Sequence, residues 1–461
     1  MNDYRERALI LVIFGITGDL AQRKLLPALY NLRRKHELPE QTRIIGVSRQ
    51  QVSADEIYAP VVERLSGVGF DQSVLDNIKS STEIVTMDLD SAPDYERLLG
   101  HLHDISKQLG PGVSRLYYLS IPAQAFASVV SHLGATNHNE PFHEDADRPR
   151  ILVEKPFGYD TASAQVLLNV TKQNFGEEQT FRIDHYLAKE TAQNILTFRF
   201  QNPLFQSLWN AHYIDSIRIS AFETIGIEGR AGFYEHTGAL RDFVQPHLLQ
   251  LLALITMENP GQLDSRSIHR AKLRLLESVC TIEPSEVAAK TLRGQYASYR
   301  DEVANPNSTV ETFARLNLAI DNEQWRGVNV VLETGKGLSE RFTEVHVTFK
   351  AADASGNTNT LIFRLQPREG ITVLLRAKQP GLQNDTEQVE MDFDYSRSFG
   401  ATSEAYERVI IDAMRGDQSL FASADEVLAS WQIVEHVLQQ WTDHGEDLRF
   451  YPIGSRAEDI V

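Results

Sequence analysis

The stretch ALILVIFGITGDLA, residues 8–21, decides the fold of the N-terminal part of this 461-residue chain. An apolar run ends at Gly15, and Gly18 and Ala21 follow in a G-x-x-G-x-x-A spacing. Glycines at such a turn let backbone amides approach a pyrophosphate at the start of the next helix, where peptide dipoles favour negative charge. A tight structural turn would carry the same letters. The place of this turn after a first strand favours dinucleotide binding.

Strand-like and helical patterns alternate through the N-terminal part of the chain. Helical patterns such as 23–35 separate most of the strand-like runs, several of which are apolar on both faces, as strands covered by helices on each side should be. The pattern predicts a doubly wound parallel sheet, a Rossmann domain, over residues 1–183. The six predicted strands lie at 8–14, 42–47, 83–89, 114–121, 150–156 and 179–184.

After residue 190 the strand-like runs follow one another with turns between them. This pattern predicts an α+β domain over residues 184–461, with a large, mostly antiparallel sheet. Helices are expected at 248–257 and 426–441. The predicted strands lie at 216–222, 343–350, 359–367, 370–377 and 387–393.

Charge and composition exclude several classes of partner. The formal net charge of −18 argues against a nucleic-acid surface and against anionic membranes, which both require basic patches. No apolar run approaches the roughly 20 residues of a membrane span. A lone cysteine, Cys280, excludes an internal disulfide and fits a reducing cytoplasm.

The stretch HNEPFHED, residues 138–145, contains residue types that bind metals. Its spacing matches no standard metal site. We therefore expect an exposed loop and no metal site.

The end of the second predicted strand, GVSRQ, bears on the choice of cofactor. An NAD site usually has an acidic residue near this point to hold the ribose hydroxyls. This chain has Ser48 and Arg49 instead. An arginine suits a 2′-phosphate, so NADP is favoured over NAD, although NAD remains possible.

The stretch TFRIDHYLAKET, residues 180–191, places Asp184, His185, Tyr186 and Lys189 directly after a strand-like alternation. A surface loop can carry this mixture, and so can an active site. Ligands of doubly wound sheets bind beyond the carboxyl ends of the strands, where this stretch would lie.

Several motifs occur in a fixed order and together resemble one family. They are GITGDLA (15–21), EKPFG (154–158), RIDHYLAKE (182–190), GALRDFVQPH (238–247) and GKGLSER (335–341). The ordered set covers nearly the whole chain and resembles the NADP-dependent glucose-6-phosphate dehydrogenase family.

The resemblance implies oxidation of β-D-glucose 6-phosphate to 6-phosphoglucono-δ-lactone with NADP, by a cytoplasmic homodimer or homotetramer. Two alternatives remain open: a dehydrogenase for another hexose 6-phosphate, and a catalytically silent redox sensor that binds NADP(H) and a partner protein.

The resemblance assigns the general base to His247 and the carboxylate that orients it to Asp184. This agrees with the chemistry, because a proton must leave the C1 hydroxyl while a hydride leaves C1. A histidine is the usual base near neutral pH, and a carboxylate fixes its tautomer and stabilises the imidazolium.

The resemblance also assigns ligand contacts. A lysine, a histidine and a phenol on one loop suit a dianionic sugar phosphate. The implied substrate contacts are Lys155, His185, Tyr186, Lys189, Glu223, Asp242, Lys336, Arg341 and Gln366. The implied cofactor contacts are Gly15, Ile16, Thr17, Gly18, Asp19, Leu20, Ala21, Gln22, Lys24, Ser48, Arg49, Lys155 and Tyr118, the last in the YYLSIP loop.

Pro246 departs from the family pattern, which commonly has asparagine before the base. A proline within a helix removes a hydrogen bond and tends to kink the helix. We expect either that the helix restarts at Pro246 or that His247 lies on a kink.

Overall fold

A computed structural model describes residues 4–65, 70–143, 146–352, 356–400, 403–444 and 447–460. The chain forms two compact units. The first contains residues 1–158, 165–188 and 403–424, and the second contains residues 159–164, 189–402 and 425–461.

The first unit is built on a six-stranded sheet in the order β3-β2-β1-β4-β5-β6, with every neighbouring pair parallel. This order belongs to the doubly wound dinucleotide-binding fold. The six predicted strands and the Rossmann fold are therefore confirmed. The strands are β1 (Leu9–Phe14), β2 (Thr42–Ser48), β3 (Thr82–Thr86), β4 (Ser114–Leu119), β5 (Arg150–Val153) and β6 (Thr180–Arg182).

Helices cover both faces of this sheet. All six residues of β1 are buried, and alternate ones enter different cores: Leu11 packs in one cluster and Val12 in the other. The continuous apolar pattern of β1 follows from this two-sided burial. The helices are Ala21–Leu25 (a π-type turn that continues into Leu26–Arg34), Ala54–Leu65, Gln72–Ser80, Ala92–Leu109, Ala123–Ala135 and Thr161–Asn174, whose first turn belongs to the second unit.

Residues 403–424 belong to the first unit, whereas the sequence placed them in the second domain. Their helix, Ala405–Arg415, packs Val409 and Ile410 into the same core as β1. The guanidinium of Arg150 donates to the carbonyl oxygens of Ala413 (2.9 Å) and Met414 (2.8 Å) at the end of this helix. The division of the chain is therefore discontinuous.

The second unit is built on a nine-stranded sheet in the order β14-β13-β12-β11-β7-β10-β9-β8-β15. Among the strand pairs of the described residues in this sheet, β7–β10 and β8–β15 are parallel and the others antiparallel. The predicted, mostly antiparallel sheet is confirmed. The strands are β7 (Ile214–Phe222), β8 (Thr291–Tyr296), β9 (Phe313–Leu318), β10 (Asn329–Gly335), β11 (Phe342–Phe349), β12 (Thr360–Gln366), β13 (Gly370–Lys378), β14 (Thr386–Asp394) and β15 (Arg449–Tyr451).

The sequence analysis missed β8, β9, β10 and β15. In β8 the buried residues include Arg293 and Gln295, so the strand has no apolar alternation. Arg293 donates to the carbonyl oxygens of Trp441 (2.5 Å) and His444, and Gln295 donates to that of Val310 (2.8 Å). The buried side chains of β8 thus form hydrogen bonds with distant backbone groups. They lack the apolar pattern by which a strand is normally recognised in a sequence.

The helices of the second unit confirm the two that were predicted: Leu249–Thr256, in which every residue is buried, and Ala424–Asp443. The others are Glu190–Gln201, Pro203–Gln206, Ala231–Ala239, Leu240–Leu248, Ser265–Ser278, Val287–Lys290, Tyr299–Glu302 and Tyr395–Phe399. Among the helices of the described ranges, none combines the length and the apolar character needed to cross a membrane.

The prediction of an exposed loop was wrong for His138. This residue is fully buried, with Nδ1 2.9 Å from the Tyr117 hydroxyl and Nε2 3.0 Å from the Tyr95 carbonyl oxygen. Burial lowers the pKa of His138 from 6.5 to about 4. His138 is therefore a core residue, and the last two residues of the stretch, Glu144 and Asp145, lie outside the described residues.

Candidate active site

The glycine turn after β1 has the geometry of a phosphate-binding turn. Gly15 has a φ of 77°, and a Cβ placed there would overlap the carbonyl oxygen of Ser120. Only glycine fits this position, because other residues rarely adopt such a φ and have no room for a side chain here. The N–H of Gly18 donates to the Gly15 carbonyl oxygen (2.9 Å), which closes the turn just before the helix.

The side chains of the glycine stretch differ in exposure. Ile16 and Ala21 are fully buried and pack in the core, so at these two positions only the backbone can meet a ligand. Thr17, Asp19 and Lys24 are exposed, and Leu20 and Gln22 are half-buried. The turn and the first helical residues therefore offer backbone groups together with exposed side chains.

Ser48 and Arg49 lie at the end of β2, as the sequence predicted. Ser48 is buried, and its Oγ accepts from the N–H of Gln50 (3.1 Å). Arg49 is exposed, and none of the described acidic residues forms an ion pair with it. An exposed guanidinium at this strand end fits a 2′-phosphate.

The expectation that Tyr118 lies in a loop was wrong. Tyr118 is a fully buried residue of β4, and its hydroxyl donates to the carboxylate of Glu154. Burial raises the pKa of Glu154 and that of Tyr118. Glu154, which Tyr406 also contacts through a hydrogen bond, was overlooked although it is the first letter of EKPFG.

The remaining predicted site residues of the first unit are Lys155, Asp184, His185 and Tyr186. Lys155 is half-buried and precedes Pro156 in a cis peptide bond. Asp184 is buried, and its Oδ1 accepts from the N–H of Tyr186 (2.8 Å). The His185 ring lies 4.8 Å from that of Tyr186.

Lys189 begins the longest segment of the second unit, residues 189–402. It is half-buried and precedes the helix Glu190–Gln201. Near it, Oε2 of Glu369 accepts from the N–H of Thr191 (2.8 Å), and burial raises the pKa of Glu369. The sequence analysis missed Glu369 because its partner lies 178 residues away in the chain.

Strand register brings four of the predicted substrate residues to one end of the large sheet. Phe222 in β7 lies opposite Gly335 in the parallel strand β10, so Glu223 and Lys336 leave the sheet side by side. The antiparallel strand β11 begins at this end and β12 finishes there. Exposed Arg341 precedes β11, and half-buried Gln366 ends β12.

Lys336 is a buried cation with two defined neighbours. It is 5% exposed, and its Nζ donates to Oε2 of Glu223. The same Nζ lies 5.5 Å from the centre of the Tyr234 ring, within the range of a cation–π interaction. The sequence analysis missed Tyr234.

Asp242 and His247 lie on the helix Leu240–Leu248, and both are buried. The His247 ring packs edge-on at 5.2 Å from that of Phe243. The helix does not restart at Pro246, and a kink there stays a prediction. The chain stays helical through Pro246 as a π-type turn and continues as Leu249–Thr256. A wide turn with i→i+5 hydrogen bonds accommodates the missing N–H.

Comparisons with known proteins identify the family of both halves of the chain. Residues 12–194 match the family model "Glucose-6-phosphate dehydrogenase, NAD binding domain", and residues 196–459 match "Glucose-6-phosphate dehydrogenase, C-terminal domain". The glucose-6-phosphate 1-dehydrogenase of Chlamydia muridarum is 39% identical, over 94% of this chain and 90% of that protein. Glucose-6-phosphate 1-dehydrogenase 2 of Mycobacterium tuberculosis is 38% identical, over 94% and 88%.

Solved structures show the same similarity. A glucose-6-phosphate dehydrogenase in complex with its substrate glucose 6-phosphate matches with a TM-score of 0.90 and 33% identity, over 98% of this chain and 96% of that one. The enzyme from Mycobacterium avium matches with a TM-score of 0.83 and 31% identity, over 98% and 95%. The chain belongs to the glucose-6-phosphate dehydrogenase family.

Proposed function

We propose that this chain transfers a hydride from C1 of β-D-glucose 6-phosphate to NADP+, giving 6-phosphoglucono-δ-lactone and NADPH. The observation that carries the proposal is the match, over 98% of the chain, to a glucose-6-phosphate dehydrogenase that holds glucose 6-phosphate. Family membership of both halves of the chain supports it.

The glycine turn and Arg49 are the proposed cofactor contacts of the first unit. NADP+, when bound, supplies the nicotinamide ring that accepts the hydride. The turn fits its pyrophosphate because Gly15 leaves no room for a side chain and a helix begins just after Gly18. The exposed guanidinium of Arg49 would hold the 2′-phosphate, which NAD+ lacks.

His247 is the proposed general base. It would take the proton of the C1 hydroxyl as the hydride leaves C1, so that the electron pair of the broken O–H bond forms the second C–O bond of the lactone carbonyl. Asp184 is proposed to hold the imidazole in the required tautomer and to stabilise the imidazolium. Burial of His247 and Asp184 supports these roles, because a buried charge interacts more strongly than an exposed one.

The remaining polar residues are proposed to hold the sugar and its phosphate. His185, Tyr186 and Lys189 would donate to the phosphate, which calls for several charge-assisted hydrogen bonds. The residues proposed to contact the rest of the substrate are Lys155, Glu223, Asp242, Lys336, Arg341 and Gln366.

A homodimer or homotetramer is proposed in addition. Side chains on one face of β11, β12 and β13, such as His346, Ile362 and Leu374, are half-exposed in the single chain. A second copy of the chain could cover this face. Light scattering after size exclusion would give the mass of the assembly. A cytoplasmic location is proposed because a lone cysteine suits a reducing compartment.

A panel of hexose 6-phosphates, each tested with NADP+ and with NAD+, tests the function. We expect the highest kcat/KM for glucose 6-phosphate with NADP+, measured as the absorbance of the reduced cofactor. Preference for another hexose 6-phosphate would assign a different substrate. Binding of NADP+ without turnover of any sugar phosphate would overturn the proposed activity.

A further inference from the structure

The helix that carries Asp242 and His247 begins at a sharp change of direction. Gly238, which precedes it, has a φ of 64° and a ψ of −179°, a combination that essentially only glycine adopts. A Cβ at Gly238 would overlap the carboxylate of Glu311. The glycine of the GALRDF sequence is therefore required both by its backbone conformation and by the carboxylate beside it.

Glu311 contacts the first residues of this helix through its backbone and its side chain. Its carbonyl oxygen accepts from the N–H of Ala239 (3.0 Å), and its Oε1 accepts from the N–H of Leu240 (2.9 Å). A carboxylate at this position satisfies an N–H that has no partner within the helix and interacts favourably with the helix dipole. Glu311 is 5% exposed, so water does not replace this contact easily.

Thr312, the residue after Glu311, contacts the backbone of the buried residue Lys336. The N–H of Lys336 donates to the carbonyl oxygen of Thr312 (2.9 Å). The hydroxyl of Tyr451 lies 2.8 Å from Oγ1 of Thr312 and donates to the carbonyl oxygen of Lys336 (2.7 Å). Two consecutive residues, Glu311 and Thr312, thus hold the helix start and the backbone of Lys336 in a fixed relation.

We propose that Glu311 is a positioning residue of the active site, whose carboxylate oxygen sets the start of the helix that carries Asp242 and His247. The inference rests on the proposed function, because it concerns the aim of the same base. A helix moves largely as a rigid rod, so a shift at Leu240 displaces His247 two turns later. A misplacement of about 1 Å can cost about 100-fold in rate.

Three substitutions separate the contact from the charge. Glu311→Gln keeps an acceptor oxygen at the same reach and removes the charge. Glu311→Asp keeps the charge but is one methylene too short to reach the N–H of Leu240, and Glu311→Ala removes both. We expect kcat within about threefold of the unmodified enzyme for Gln, and about 10- to 100-fold lower for Asp and Ala.

Glu235→Gln is the matched control. Glu235 is also a carboxylate of the second unit, and it accepts from Tyr299 (2.8 Å), Asn305 (2.9 Å) and Ser308 (2.6 Å). We expect this variant to lose thermal stability and to keep its kcat. The KM for NADP+ should stay unchanged in all variants, because the glycine turn lies in the first unit.

If Glu311 had a purely structural role, all these variants would have a lower melting temperature. Their kcat values would then not rank Glu311→Gln above Glu311→Asp. Should Glu311→Ala fail to fold, the Gln and Asp pair still decides the matter. If the unmodified enzyme is active, an equal kcat in Glu311→Gln and Glu311→Asp, or a higher kcat in Glu311→Asp, would overturn the inference. Absence of NADPH formation by the unmodified enzyme would instead overturn the proposed function.

Discussion

The glycine turn of the first unit and the strand ends of the second unit differ in what they offer a ligand. The turn offers backbone N–H groups, since the side chains of Ile16 and Ala21 are buried, and the end of β2 adds the exposed guanidinium of Arg49. The strand ends and the nearby helix offer buried ionisable side chains, of which Lys336 and His247 are 5% and 1% exposed.

This difference predicts different responses to mutation. A backbone site should depend on the shape of the main chain and tolerate changes of most side chains. A site of buried charges should depend on each ionisable group, because removal of one leaves its partner buried without compensation. The predictions below run from the largest expected effect to the smallest, and those at the two ligand sites test this contrast.

Replacement of the proposed base should have the largest effect. His247→Asn should bind both ligands and lower kcat roughly 10²–10⁴-fold, the usual contribution of a positioned base. Asp184→Asn is the graded control and should lower kcat less, because the imidazole stays in place. Initial rates at saturating ligands measure both. Near-normal turnover by His247→Asn would contradict the mechanism.

A methyl group at the glycine turn should weaken cofactor binding and leave the substrate side intact. Gly15→Ala adds a Cβ that overlaps Ser120 at a φ of 77°. Strain of this kind costs about 1–3 kcal/mol, so we expect an increase of about 10- to 100-fold in the KM for NADP+. Gly100→Ala, in a helix with open space around the added Cβ, is the matched control and should change neither KM. An equal loss of glucose 6-phosphate affinity in Gly15→Ala would argue against the contrast.

Removal of one proposed phosphate contact tests the other side of the contrast. Lys189→Ala should lose a charge-assisted hydrogen bond of about 1.5–3 kcal/mol. Because the phosphate is remote from C1, the loss should raise the KM for glucose 6-phosphate roughly 10- to 100-fold and change kcat little. An unchanged KM with a low kcat would move Lys189 from binding to chemistry.

The buried histidine of the first unit should make that unit sensitive to acid. The pKa of His138 falls from 6.5 to about 4 on folding, so the unfolded chain takes up a proton first as the pH falls. The free energy of unfolding should decrease by about 2 kcal/mol between pH 6.5 and 5 from this group. His138→Gln should lose that part of the pH dependence in urea titrations. The pKa of Asp412, which burial raises to about 6, acts with the opposite sign, so only the difference between variant and unmodified chain is informative.

Much of the first unit could be predicted because its core strands are apolar on both faces, as β1 shows. The sequence could not place residues 403–424, since the helix Ala405–Arg415 has the ordinary amphipathic pattern of any surface helix and its partner strand is hundreds of residues away. β8 was missed because its buried Arg293 and Gln295 donate to distant carbonyl groups instead of making apolar contacts.

The sequence predicted those residues of the candidate site that lie within recognisable motifs. Motifs did not identify residues whose place in the site depends on contacts with distant parts of the chain. Glu223 and Gln366 had no motif of their own, and only the register of β7, β10, β11 and β12 brings them to one end of the sheet. Glu154 and Glu311 were missed because their hydrogen-bond partners lie 36 and 71 residues away. Local sequence carries no signal for such pairs.

Arg49 should show the smallest effect, and it supplies the most direct test of the central claim, that the glycine turn and Arg49 bind NADP+ whereas Lys189 binds the sugar phosphate. The measurement is the dissociation constant of each ligand alone, NADP+ and glucose 6-phosphate, for the unmodified chain, Arg49→Ala and Lys189→Ala. We predict that Arg49→Ala weakens NADP+ by about tenfold, as expected for one lost contact at an exposed site, with NAD+ and glucose 6-phosphate unchanged. Lys189→Ala should weaken glucose 6-phosphate alone. Equal weakening of both ligands by either variant would contradict the account.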